Sequence, residues 1–467
     1  MFYRMLIVCF SVSILSSSYA LEESNTKETQ QNKSTNKEHS HFFIALESAL
    51  KNNKDILSAQ KSLLAGHEEH VKQSAAFKPK ISAEAGYSPS FSDSWISHDK
   101  ANKETSQTGD HNSSSSYEVR VNQNIFNGLA DIAALRETDF NIRAQWSEYE
   151  ALKQRILREI SELYFSLVAK KQEITHLRSL LESRKSIVVL ASQMHATGSI
   201  KILDVAQSQA DCASTEGKLA TAEAEYEALC AQFEEKTGIP VPENLTIPQK
   251  LFDTTLTLEK AKNILTKSNP EVIAATDKLA AAKEAIKKPD TSTIPSVNIS
   301  YSIKQSVSNR KQNSRSHGVG LGISIPIYDG GVGRASKRQA IETANKAAID
   351  KEKALQQNLS ALVATLASLS AAQENLICSI KALEACDIAL HDTEEEFKAG
   401  VKITKDVLDA QQKLFEARFV KTQAEKNFFV SQCAANALLG RMNAKYLNIR
   451  DSDFNYKDHF AQTKKRF

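Results

Sequence analysis

One turn is written twice in this chain, and the spacing of the copies constrains what it can fold into. HATGSIKILDVAQSQ occupies residues 195–209 and FKAGVKITKDVLDAQ residues 397–411, with Gly198 and Gly400 each six residues before an aspartate, Asp204 and Asp406. Gly400 lies 202 residues after Gly198. The same offset relates Ile125-Phe126-Asn127-Gly128 to Ile327-Tyr328-Asp329-Gly330, and Gly238 to Gly440. Upstream, Asn53 with Asn269 and Pro79 with Pro295 are 216 apart, which puts 14 extra residues between Pro79 and Phe126, in a polar stretch. Fixed turns at a fixed offset mean one structural unit used twice, once with a longer loop.

The 70 residues from Gly128 to Gly198, and from Gly330 to Gly400, have a helical pattern. In the first, Ile156, Ile160, Leu163, Leu167, Ile174, Leu177, Leu181 and Val188 step by alternating threes and fours. In the second, Leu355, Leu359, Leu362, Leu366, Leu369, Leu376, Ile380, Leu383, Leu390 and Phe397 do the same. That is the seam of a coiled coil. With 15 Gly and 9 Pro in 467 residues, little interrupts it. Each rod should reach about 100 Å, far longer than a globular core needs.

Four shorter segments change period. KISAEAGYSPSF (80–91), YEVRVNQNIF (117–126), VNISYSI (297–303) and GVGLGISIPI (318–327) alternate apolar with small or polar residues. Strands are expected near 80–91, 117–126, 296–304 and 317–327. Strict alternation over about ten residues suits a membrane strand, apolar toward lipid and polar toward a lumen, and it equally fits a half-buried strand of a soluble sheet. Long polar loops between the strands, and Phe126 and Tyr328 at equivalent strand ends, favour the membrane. Four strands cannot close a barrel, which needs about eight, and an open edge in lipid is not viable. A membrane reading therefore forces an oligomer.

The first 20 residues, with Arg4, an apolar run and a Ser18-Tyr19-Ala20 ending, predict a secretory signal peptide. Residues 21–40 are polar throughout and predict disorder. Beyond the signal, Cys212, Cys230, Cys378, Cys386 and Cys433 are scattered and odd in number, which argues against a disulfide framework or zinc site. A net charge of +3 gives no basic face for nucleic acid. Lone histidines such as His176 and His195 read as helix-surface residues. No catalytic or cofactor-binding motif is present, so neither an enzyme nor a cofactor is expected.

The signal, the duplicated helix–hairpin–long helix–turn–helix plan, and the phrases IPIYDGG and KDVLDAQ together resemble the TolC-type outer-membrane efflux and secretion channels over roughly residues 42–440. The resemblance implies an α+β membrane protein and a homotrimer. Three protomers with four strands each would share a twelve-stranded β-barrel, continued by a coiled-coil periplasmic tunnel. The first repeat is expected at 41–238 and the second at 261–440. Residues 239–260 and the tail 441–467 would form an equatorial girdle. The duct would serve small-molecule efflux or type I protein secretion. A periplasmic adaptor (membrane fusion protein) and an inner-membrane transporter, ABC-type or proton-driven, would be its partners. A soluble periplasmic coiled-coil scaffold or adaptor is the alternative.

Each turn would then cap a hairpin at the periplasmic tip. Asp406 and Asp409 lie three apart, on one helix face. The resemblance makes them the ring at the narrowest point, which would attract cations. They also fit two solvated acids favoured by a helix dipole. In the first copy Gln207 replaces the second aspartate, so the ring would come from the second hairpin alone. The family's tip latch falls here on Phe397, Lys402 and Asp204. Phe397 has no hydroxyl and lysine lacks the guanidinium fork, so the latch reduces to Lys402–Asp204, with an exposed turn cation as the alternative for Lys402. The adaptor would meet the turns, Gly198, Ser199, Ile200 and on to Leu203, and Gly400, Val401, Lys402 and on to Thr404.

Overall fold

The computed structural model describes residues 41–94, 108–248, 257–289, 294–308, 313–451 and 456–465. The expected signal peptide and polar segment, residues 1–40, lie outside the described residues, as does 249–256 of the inter-repeat segment. Helices α1 (His41–Asn52) and α2 (Lys54–Ser74) lead to strands β1 (Lys80–Ser94) and β2 (Thr108–Asn127), then to the long α3 (Ala130–Ala196) and the returning α4 (Ile202–Thr237). The plan repeats with α5 (Leu258–Ser268), α6 (Pro270–Ala285), β3 (Ser296–Ser308), β4 (Asn313–Ser324), α7 (Val332–Lys398) and α8 (Thr404–Leu438). A short α9 (Ala444–Leu447) and α10 (Tyr456–Lys465) follow.

Helices α3 and α7 are each 67 residues long, and their ends are related by the 202-residue offset. Neither holds proline, and α7 has a single glycine, Gly333, in its first turn, so nothing breaks them before Gly198 and Gly400. Both begin after a left-handed pair: Gly128 and Leu129 in the first copy, Gly330 and Gly331 in the second. Asp329 accepts from the backbone N–H groups of Gly331 at 2.8 Å and Gly333 at 2.6 Å, which hold its carboxyl below the usual carboxylate range.

The strands form one antiparallel sheet in the order β1-β2-β3-β4. Register puts Ile81, Val121, Tyr301 and Val319 in one row, with Ala83, Val119 and Ile303 in the next on the same face. Ser82, Arg120, Ser302 and Gly318 share the other face. A bulge between Asn124 and Phe126 shifts the β2–β3 register near the helix end.

The strands overrun several limits of the sequence reading: β1 runs to Ser94 past 91, β3 to Ser308 past 304, and β4 starts at Asn313 before 317. β2 starts at Thr108, inside the stretch read as loop, because backbone pairing of Thr108 with Ser94 through Ser115 with Tyr87 continues regardless of the side chains. β4 stops at Ser324, where an end at 327 was expected: Pro326 has no N–H to give the ladder.

Where the rods cross the short helices, Phe42, Leu46, Leu50, Ile56, Leu157, Ile160, Tyr164, Phe165, Phe233, Cys433 and Met442 form the main core. A smaller cluster, Ala261, Leu265, Val272, Leu362 and Leu439, serves the second copy. Ala45 and Ala261, Ile56 and Val272, and Ile160 and Leu362 are repeat equivalents. Each large side chain there contributes about 1.5–3 kcal/mol by burial. The tail packs on this level too. Lys153 reaches Asp451 at 2.9 Å, Tyr456 stacks on Trp146 at 4.5 Å, and His67 of α2 lies 2.9 Å from His459 of α10.

Candidate functional site

Two surfaces are candidates: the sheet and the hairpin tips. On the sheet, the row-forming apolar side chains point outward. Ile81, Tyr87, Phe91, Tyr117, Val119, Val319, Leu321 and Ile323 are all exposed, and Ile327 beyond β4 is 95% exposed. The opposite face carries Ser, Gly, Asn and a Glu118–Arg120 pair. β1 and β4 each keep one edge with no strand partner among the described residues. Such a surface is costly in water and is stabilised in lipid once its edges are closed.

At the tips the sequence makes one local structure twice. Gly198 (φ +73°) and Gly400 (φ +77°) occupy the left-handed position that ends α3 and α7. Around them, Ser199 N–H donates to the Met194 carbonyl at 2.9 Å and Gly198 N–H to His195 at 2.9 Å. Val401 N–H donates to Glu396 at 2.9 Å and Gly400 N–H to Phe397 at 3.0 Å. This double bond satisfies helix carbonyls that would otherwise be left bare. His195, read as a surface residue, is exposed but turns a ring nitrogen to the Ile200 carbonyl at 3.0 Å.

The aspartates six residues on open the returning helices. Asp204 accepts from the Lys201 N–H at 3.2 Å, and Asp406 accepts from the Ile403 N–H at 3.0 Å. Each is a third-position acid reaching back to the residue before its helix, half of a capping box. Asp409 is exposed, one turn on. Val407 and Leu408 between them are buried and fix the orientation of this first turn.

The structure does not bring the expected latch together within one chain. Lys402 Nζ faces Glu396 Oε2 at 3.8 Å, while Asp204 is occupied by its own helix start. Glu396 and Lys402 flank the same Gly400 turn, so the local pair forms without bridging the hairpins. Phe397 is half-buried. Gly198, Ser199, Ile200, Gly400 and Val401 lie at the extreme tips. There, Ile202, Leu203, Val401 and Ile403 expose 63–72% of their surface. Each turn thus bares two aliphatic side chains, an apolar surface of the kind a protein partner covers.

A bridge between the hairpins lies elsewhere, at a residue the sequence reading passed over. Arg184 of α3 donates from Nη2 to Gln412 Oε1 of α8 at 2.9 Å. Next to it, Gln411 Nε2 donates to Ser183 Oγ at 2.8 Å. A single arginine inside a heptad pattern gives no sequence signal of this.

A family model for outer membrane efflux proteins matches residues 45–233 and 263–441, one segment in each repeat. The chain belongs to the outer membrane efflux protein family. It is 23% identical over 433 residues to the outer membrane efflux protein BepC of Brucella suis, covering 91% of this chain and 90% of that one. It is 22% identical over 418 residues to the outer membrane protein TolC of Vibrio cholerae, covering 85% and 89%. Its fold is similar to the Campylobacter jejuni CmeC outer membrane channel, with a TM-score of 0.76 at 14% identity over 91% of this chain and 89% of that one. The protein is thus an outer-membrane efflux channel with a periplasmic helical tunnel. The soluble-scaffold alternative is set aside: the apolar face of the sheet belongs to the membrane, and the rods to the tunnel.

Proposed function

We propose that three copies of this chain close one barrel and one tunnel, and that the duct carries solutes exported by an inner-membrane transporter through a periplasmic adaptor. The observation that carries the trimer is the surface one chain leaves bare. α7 holds a stretch long and apolar enough to cross a membrane, yet only 17% of it is buried within the chain. Along the rest of α7's length, too, large apolar side chains are bare in the single chain, among them Ile341, Ile349, Ile377, Ile380 and Ile388. The outer edges of β1 and β4 also have no strand partner among the described residues. Neighbouring copies that pair β4 with β1 and pack α7 against the next hairpin would cover both at once, as closed cyclic symmetry requires.

In that assembly the second-hairpin tips converge, and Asp406 and Asp409 would form a ring of six carboxylates. Such a ring favours cations and sets the narrowest point. Asp406 carries a local capping role besides, so Asp409 is the freer of the two to face the lumen. The apolar tip patch, with Lys201 and Lys402 beside it, is the adaptor's landing site. Residues 1–20 are the proposed export signal. Small molecules and secreted proteins both suit a passive duct of this kind.

Planar-bilayer conductance of the detergent-purified protein tests the reading, wild type beside Asp406→Ala/Asp409→Ala. Small cation-selective currents that lose their selectivity in the variant are expected. A protein that stays soluble without detergent and never inserts contradicts the channel. A channel whose variant keeps full selectivity contradicts the gate. Exchanging residues 198–203 and 400–404 for an unrelated turn and finding undiminished export would remove the adaptor assignment.

A further inference from the structure

Arg184 is 7% exposed, and among the described residues no carboxylate lies at hydrogen-bond distance from it. Its Nη1 donates to the Asp211 carbonyl at 2.9 Å and to Thr215 Oγ1 at 3.0 Å, both on α4. Its Nη2 donates to Gln412 Oε1 on α8 at 2.9 Å, and its Nε is buried without a partner. Burying a guanidinium among neutral acceptors carries a desolvation cost that its hydrogen bonds must offset, so the site depends on those bonds being made. The neighbouring Ser183–Gln411 bond at 2.8 Å makes this a two-point junction, two adjacent side chains of α3 meeting two of α8.

Two facts set the junction apart from ordinary hairpin packing. The repeat equivalents of Ser183 and Arg184 are Ala385 and Cys386, so the second copy folds the same long helix without it. Gln412 also follows Asp409 by three residues, one turn along α8. α8 begins at Thr404, which puts the junction about 12 Å from the tip end of the helix. Whatever holds Gln412 therefore sets where Asp406 and Asp409 lie.

We propose that Arg184 is the positioning residue of the gate: it pins α8 to the first hairpin through Gln412, in place of a Lys402–Asp204 latch at the tip. The inference rests on the channel reading and deepens it. On the tip side of the junction, Val407 and Leu408 are the buried side chains of α8's first turns. Above it, Phe415 packs on the Ile174, Leu177 and Ala222 cluster. That apolar contact serves as the fulcrum, and the directional bonds of Arg184 and Gln411 are the part that breaks and re-forms. Polar bonds suit this because they have discrete made and unmade states, and water can replace them in the open state.

The test is single-channel conductance of the purified protein with Arg184→Met, Gln412→Met and Lys402→Ala beside wild type. Gln412→Met cuts the inter-hairpin bond and leaves the Arg184 bonds to Asp211 and Thr215 intact, so it decides the matter even where Arg184→Met fails to fold. A rise of about threefold or more in conductance for both methionine variants is expected, with Lys402→Ala like wild type. Amide hydrogen exchange over residues 404–412 should quicken in Gln412→Met and not in Lys402→Ala. Wild-type conductance and exchange in Gln412→Met, or a rise confined to Lys402→Ala, would overturn the proposal. A wild-type protein that never conducts removes the channel reading, and the proposal with it.

Discussion

Asn269 donates from Nδ2 to the Leu438 carbonyl at 3.0 Å, tying the start of α6 to the end of α8, 169 residues away. Its Oδ1 meanwhile accepts from the N–H groups of Glu271 at 2.9 Å and Val272 at 3.2 Å. The first copy repeats the arrangement at Asn53, which caps α2 and donates to the Lys236 carbonyl at 3.0 Å. One side chain thus caps one helix and closes the C-terminus of another, and both asparagines are buried.

Replacing either asparagine with alanine should therefore be destabilising. Asn269 also donates to Asn358 Oδ1 at 3.1 Å, a bond with no counterpart at Asn53. Loss of an N-cap costs about 1 kcal/mol, and a stranded buried partner adds about 1–3 kcal/mol. Thermal unfolding in detergent should show a lower midpoint for both variants, with Asn269→Ala the lower.

Gly198, at the tip of the first hairpin, and Gly440, just past the end of α8, should differ in tolerance. Gly198 and Gly440 share a positive φ, near +73° and +71°, so alanine at either pays roughly 1–2 kcal/mol of left-handed strain. A Cβ at Gly198 would meet nothing within 4 Å, whereas at Gly440 it would sit 2.3 Å from the Ser268 carbonyl oxygen. Gly440→Ala should lower the unfolding midpoint clearly more than Gly198→Ala.

The two faces of the sheet predict opposite outcomes for lysine. Leu321 lies on the outward apolar face, while Ser302 is on the opposite face between Tyr301 and Ile303. A lysine toward the middle of the lipid costs about 2–4 kcal/mol in a barrel of this kind. Leu321→Lys should reduce the heat-resistant, membrane-extracted fraction on a gel, and Ser302→Lys should leave it near wild type.

Acid should loosen the tail. His67 is fully buried, and burial with the nearby His459 ring pushes its pKa from 6.5 down to about 4. Its ring faces His459, Tyr456 and Phe460 of α10. Around this pair stand His70 on α2, Asp139 on α3 and Lys464 on α10, with Arg143 and Asp277 acting on Tyr456. The unfolded chain takes up the proton near pH 6.5 and the folded one only near pH 4, so the unfolded state binds more protons between those values. Stability is complete above 6.5 and falls as pH drops toward 4, by up to about 3 kcal/mol per chain. Because Tyr456 stacks on Trp146, the fluorescence of Trp146 should change over this window, and His67→Leu should reduce the change, with burial-shifted His70 beside Phe460 carrying the remainder.

The long-range plan of the fold was legible because periodicity and the repeat offset are written in the residues themselves. The 202-residue offset located α3 and α7 and their glycine turns, and alternation located the apolar face of the sheet. The extent of β2 was not legible, since backbone pairing carries TGDHNSSSS into the ladder without help from side-chain pattern. At the tip, the sequence marked Asp406 as a possible helix-start acid, but not the hydrogen bonds by which Asp204 and Asp406 cap their helices, although a third-position acid after a turn is itself a signal. Lys402 and Asp204 were matched by position in the family pattern; in the folded chain Lys402 finds Glu396 across its own turn. Arg184 was invisible because its three acceptors come from two other helices, the most distant of them 228 residues away.

The central claim is that three chains close one barrel, and the most direct measurement is native mass spectrometry of the protein released from outer membranes in detergent. A mass of three chains, without a populated monomer, is predicted. A stable monomer with its β1 and β4 edges unpaired would contradict the account.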